Sequence, residues 1–198
     1  MSSKDHILAA IRKQSVPLRE LPSLDQPWIT YPDRFAQFQS LVQSVGGRCV
    51  LIDRAADAWQ LLRETPAFTA ASQIVSLVPE VSAGNIDLNA IADPHQLETI
   101  DWAIVPGMLG VAENGAIWLT DANVKHRAIY FICQHLVVLL PLDSLVNNLH
   151  EAYERIEIPQ PGFGMFLSGP SKTADIEQSL VIGAHGPRSL TVFCYRQF

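Results

Sequence analysis

Apolar positions along the chain fall into two alternating rhythms. Short runs rich in Val, Ile and Leu, RCVLI, QIVSLV, DWAIVP, HLVVLLP, GMFLS and SLTVFCY, are spaced by stretches whose apolar residues recur every three or four positions. Runs of the first kind predict buried strands and stretches of the second predict amphipathic helices. Helices are expected over KDHILAAIRK, from Asp33 (Phe35, Phe38, Leu41, Val42 and Val45 on one face), over AADAWQLLRE, near Lys125, over DSLVNNLHEAYERI, and from about Thr173. Strands alternating with helices imply an α/β domain with a largely parallel sheet covered on both faces. Ligands in such folds sit at the carboxyl ends of the strands, so the loops after the strands are the first places to look.

The first helix stands apart. Ser2 or Ser3 can cap it and Asp5 suits its first turn, but Pro17, Pro22, Pro27 and Pro32 prevent any continuation. Residues 1–32 therefore read as a helical, proline-rich arm suited to packing on a neighbouring chain, and residues 33–198 as the α/β domain. Gly46 and Gly47 provide a stop for the helix that starts at Asp33.

Composition narrows the function. The chain has 198 residues, of which 48% are hydrophobic and 17% charged, enough for one sizeable core. A formal charge of −6 without any basic block argues against nucleic acid as a partner. The most apolar run, residues 128–141, contains Gln134 and His135 and is too short to cross a membrane. The opening residues lack the pattern of a signal peptide, which points to the cytoplasm. Cys49, Cys133 and Cys194 form neither a disulfide framework nor a CxxC knuckle, and they are too few for an iron–sulfur cluster held by this chain alone. No spaced His, Asp and Glu set indicates a metal.

Two stretches could carry chemistry. In SGPSKTADIEQSLVIGAHGPRSLTVF, residues 168–193, Gly169 and Pro170 turn the chain, Ser171 or Thr173 can cap a following helix, and Lys172 adds positive charge to its N–H groups. This is the make-up of a small-anion site. Asp175 and Glu177 would weaken that field and suit a helix dipole instead. His185 and Arg188 lie in a second Gly/Pro loop, at the far end of a helix of about three turns, so another element must bring the two loops together. The preceding Gly164 and Gly169 have P-loop spacing, but Pro170 occupies the lysine position and MFLS between the glycines is strand-like. In GVAENGAIWL, Asn114-Gly115 signals a hairpin turn and places Glu113 at a strand end. Spacing alone favours an ordinary turn there, an inert buried thiol at Cys133, and a hydrogen-bonded sheet histidine at His135.

The long C-terminal stretch resembles the signature of the LUD-domain family, specifically its lactate utilisation protein C group. The likeness extends to KDHILAAIRK, RFAQFQSLVQSVGG, GVAENGAIWL, His126-Arg127 and HLVVLLP. This resemblance implies a fold like that of the NagB, ribose-5-phosphate isomerase and CoA-transferase group. It also implies a non-redox role in oxidation of L-lactate to pyruvate, as one of three proteins encoded together, with iron–sulfur clusters on the other two and no cofactor on this chain. The family's AETGT is Ala112-Glu113-Asn114-Gly115-Ala116 here, so two hydroxyl-bearing positions are absent. Glu113-Asn114-Gly115 also looks like the stretch carrying the nucleophilic glutamate of one class of CoA transferases. That likeness implies the alternative of a free-standing transferase or isomerase with Glu113 as nucleophile or base. In either reading Gly169, Ser171, Lys172, Thr173, His185 and Arg188 are the candidate ligand-binding residues. A domain that only scaffolds its partners is the third reading.

Overall fold

The computed structural model describes residues 2–14, 19–82, 84–157, 162–174, 180–183 and 185–196. Asp175 and Glu177 therefore lie outside the described residues.

Helix α1 (Ser3–Lys13) begins with a complete capping box, in which Ser2 accepts from the Asp5 N–H and Asp5 accepts from the Ser2 N–H. It buries none of its residues. The end of the arm is tied to the domain: Trp28 stacks on His150 with ring centroids 3.5 Å apart, and the Tyr31 N–H donates to Asn147 Oδ1 at 2.9 Å. Helix α2 (Arg34–Ser44) is capped by Asp33 and buries Phe38 and Val42. Removing each of those side chains from water is worth about 1.5–3 kcal/mol.

Five strands form the main sheet: β1 (Arg48–Ile52), β2 (Ile74–Ser76), β3 (Trp102–Pro106), β6 (His135–Pro141) and β11 (Ser189–Tyr195). Their spatial order is β1-β11-β6-β3-β2, and every pairing is parallel. After β1 the chain crosses the whole sheet to β2, carrying α3 (Asp57–Arg63) and α4 (Pro66–Thr69). It then returns one strand at a time. Right-handed crossovers running in opposite directions fall on opposite faces. Accordingly, Ala58, Leu62 and Phe68 pack with Ile104, Val137, Leu139 and Phe193 on one face. On the other, Phe38 and Val42 pack with Val105, Leu136, Val138, Leu140, Leu190 and Val192.

A second sheet, ordered β7-β4-β5-β8, covers that other face. It comprises β4 (Leu109–Val111), β5 (Ala116–Thr120), β7 (Leu145–Val146) and β8 (Gly164–Leu167). Short helices α5 (Ile129–Ile132) and α6 (Leu149–Arg155) complete the fold with the antiparallel pair β9 (Lys172–Ala174) and β10 (Leu180–Ile182).

Two expected helices need correction. DSLVNNLHEAYERI splits into a 3-10 turn at Leu142–Ser144, strand β7 and helix α6, because the Asn148 side chain caps at the Glu151 N–H and starts the helix late. The helix expected from about Thr173 is replaced there by strand β9, so Thr173 is a strand residue and Lys172 does not stand at a helix start.

Candidate functional site

Loss of that helix changes the geometry of the signature. A helix would hold the two Gly/Pro loops apart, whereas pairing of Lys172 with Ile182 across β9 and β10 brings them side by side. The Ser171 N–H donates to Pro187 O at 2.9 Å, and the Gly183 N–H donates to Ser171 O at 2.9 Å. Gly186 sits so close that a Cβ there would be 2.9 Å from Ser171 Cβ. Gly169 has φ of 77°, and a Cβ would stand 2.8 Å from the Val45 carbonyl, so only glycine turns the chain over the end of α2.

Together these loops wall a pocket of about 280 Å³, lined among others by Tyr130, Leu136, Gly169, Lys172, His185 and Leu190. Pro170 and Pro187 are buried beneath it, while Lys172 and His185 are exposed at its mouth. The Tyr130 hydroxyl donates to Thr120 O at 2.8 Å, and burial pushes its pKa up to about 12, so the phenol stays neutral. Two cation-capable side chains over an apolar floor suit the anionic end of a small organic molecule. The pocket faces the amino ends of β6 and β11, not the carboxyl ends where parallel sheets usually bind ligands.

Glu113 does not line this pocket. The expected hairpin forms, with Val111 paired to Ala116 and Gly115 at φ of 67°, but the carboxylate turns toward α6. There Oε1 accepts the Leu149 N–H at 2.8 Å, next to the Glu113 N–H bond to Asn147 O at 3.0 Å. Glu113 thus satisfies one of the free N–H groups at the start of α6. The loop is joined to the signature by the Ser168 hydroxyl, which donates to Asn114 O at 3.2 Å.

His126 and Arg127 also have structural partners. His126 Nε2 lies 2.9 Å from Ile91 O, and the Arg127 guanidinium lies over the Phe163 ring and 3.9 Å from Asp121. Cys133 is buried, which raises its thiol pKa to about 12 and leaves it inert. Cys49 and Cys194, distant in sequence, face each other on β1 and β11 with sulfurs 3.9 Å apart. Among the described residues no group of three or more His, Cys, Asp or Glu gathers around a metal-sized space. No helix among them is long and apolar enough to cross a membrane.

Arg188 is separated from Lys172 and His185. Because successive strand residues face opposite sides, Leu136 and Leu190 point into the signature pocket while His135 and Ser189 point away from it. Arg188 lines a different cleft, of about 410 Å³, with Asp101, Trp102, Gln134 and His135. Trp102, His135 and Ser189 are the first residues of β3, β6 and β11, and the register places them in one row. The Trp102 and His135 rings stack at 4.4 Å, and His135 Nδ1 lies 2.8 Å from Ser189 Oγ. Sequence reading missed this row because its members are about 30 and 50 residues apart; the only available signal was a polar or aromatic residue opening each strand.

The LUD domain model matches residues 92–194, which include the Glu113 hairpin, the lining of the signature pocket, strands β3 to β10 and all of β11 but Tyr195. The chain belongs to the LUD domain family. Lactate utilization protein C of Shouchella clausii is 35% identical over 98 residues, covering 47% of this chain and 43% of that protein. That of Geobacillus thermodenitrificans is 36% identical over 83 residues, covering 39% of this chain and 35% of its own length. The LUD chain thus matches less than half the length of these relatives. The uncharacterized protein NMB1437 of Neisseria meningitidis is 24% identical over 217 residues, covering 97% of this chain and 93% of that protein. A crystal structure of a DUF162 family protein from Deinococcus radiodurans superposes with a TM-score of 0.61 at 18% identity, covering 82% of this chain and 96% of that one. That match supports the α/β fold.

Proposed function

We propose that this protein serves lactate utilisation as a non-redox component of an L-lactate-oxidising system whose iron–sulfur chemistry resides on partner proteins. The observations carrying this reading are the similarity to proteins named lactate utilization protein C and the LUD domain match over residues 92–194, which include the lining of the signature pocket. The pocket's chemistry supports a small organic anion as its ligand. Lys172 and His185 receive the charged end, Tyr130 and Leu136 hold the remainder, and Gly169 and Gly186 let the two loops close on each other. Electron transfer would occur on the partners, with this chain presenting or retaining the anion.

The transferase alternative asks Glu113 to attack a substrate. Its carboxylate is engaged at the start of α6 and outside the pocket of Lys172, which favours the non-redox reading. Deletion of the gene should abolish growth on L-lactate and spare growth on pyruvate, and the protein should co-purify with iron–sulfur proteins from its own cell. Unchanged growth on L-lactate would overturn the proposal.

A further inference from the structure

The cleft on the α3–α4 face has a chemistry of its own. Its floor is the Trp102–His135 stack, fixed from below by the edge-on contact of Phe68 with Trp102 at 5.1 Å. The Trp102 indole N–H donates to Ala67 O at 3.3 Å, which holds α4 beside the floor and places Ala67, Ala70 and Ala71 along one wall. The side chains along that wall are all methyl groups.

Residues of both charge signs line the same cleft. Arg188 is held by its backbone N–H, which donates to Gln134 O at 2.8 Å, and by Gly183, where a Cβ would lie 2.6 Å from Arg188 Cγ. Asp101 is held through Oδ2, which accepts from the Ser72 N–H, the Ser72 hydroxyl and the Gln73 N–H at 2.8, 3.1 and 2.9 Å. Its Oδ1 is left for a ligand. Partial burial opposes ionisation of Asp101, but those N–H and O–H donors outweigh it and keep the carboxyl below its ordinary range. Burial and the nearby Arg188 charge lower the His135 pKa against the pull of Asp101, so the imidazole is neutral near pH 7. With Nδ1 directed at Ser189, Nε2 is the nitrogen left for a ligand. Although Arg188, Asp101 and Glu98 line one cleft, none of them forms an ion pair among the described residues.

We propose that this cleft is a second ligand site, for a small carboxylate with a hydroxyl or ammonium group on the adjacent carbon and an apolar remainder. The Arg188 guanidinium would pair with the carboxylate, whose geometry it matches. Asp101 Oδ1 would accept from the donor on C2, and the alanine wall would take the hydrocarbon end. A cleft of about 410 Å³ exceeds the needs of a three-carbon acid, so branched or longer side chains fit. The inference rests on the charges and shape of the cleft and stands apart from the lactate reading.

Titration of the full-length protein with L-lactate, L-alanine and propionate, followed by amide and indole NMR, tests it. L-Lactate or L-alanine should shift the Trp102 indole and the Ala70 and Ala71 amides, and bind about tenfold more tightly than propionate, which lacks the C2 donor. The arm that binds more tightly distinguishes a hydroxy acid from an amino acid. Arg188→Gln should weaken binding by about tenfold or more with an unchanged melting temperature, and Arg188→Lys should recover only part of it. Equal binding of propionate, shifts confined to Ser168–Lys172, or no response at millimolar acid would overturn the site. Shifts confined to Ser168–Lys172 would leave the lactate proposal standing, whereas normal growth of the deletion strain on L-lactate would leave the cleft standing.

Discussion

The Glu113 hairpin and the Lys172–His185 loops both combine glycines with charged side chains, yet they use their charges differently. In the hairpin the carboxylate is committed to the framework, at 2.8 Å from the first N–H of α6. In the signature loops, glycines and backbone bonds do the structural work, and Lys172 and His185 stand exposed at a pocket mouth. The lesson is that a charged residue beside a glycine turn gains functional weight only when the backbone holds the loop without it.

Substitutions can break this contrast. The largest expected effect is Gly115→Val. Its φ of 67° excludes a β-branched residue, and a Cβ would sit 2.9 Å from the Val42 N of α2. A loss of about 3 kcal/mol or more is expected in urea denaturation. Glu113→Ala should cost about 1–2 kcal/mol by the same measurement, because it leaves the Leu149 N–H without its acceptor. Lys172→Ala and His185→Ala should each change stability by under about 0.5 kcal/mol, as exposed side chains do, while impairing growth on L-lactate. A stability loss from Lys172→Ala as large as that from Glu113→Ala would erase the contrast.

The smallest effect concerns pH. Burial and Arg188 depress the pKa of His135, so the unfolded chain binds its proton more readily than the folded one. The resulting stability is present above about pH 6.5 and is lost as pH falls toward the lower folded value. His135→Gln should therefore flatten the acid side of the stability profile below about pH 6.5, measured by thermal melts.

The parallel sheet was legible because each strand is a compact β-branched run, and local turn chemistry identified the α2 stop at Gly46 and Gly47 and the Asn114-Gly115 hairpin. The errors came where local signals compete. Ser171, Thr173, Asp175 and Glu177 resemble a helix start, but the structure pairs Lys172 with Ile182 in a ladder that local propensity does not encode. Leu145 and Val146 merged with the true α6 pattern, although Asn148 followed by Glu151 carries a capping signal that separates them. Lys172 and His185, expected to act together on a ligand, line one pocket, through paired strands rather than a helix end. Grouping Arg188 with them failed because Arg188 precedes β11 and lines the cleft that holds Trp102 and His135, and the row of Trp102, His135 and Ser189 exists only through register.

The most direct test is complementation of the deletion strain on L-lactate by two variants whose melting temperatures are measured in parallel. Lys172→Ala/His185→Ala should melt like the unaltered protein and fail to restore growth. Glu113→Gln, which keeps an oxygen acceptor for the Leu149 N–H, should restore it. Growth restored by the double variant and lost with Glu113→Gln would contradict the account and assign the function to the glutamate.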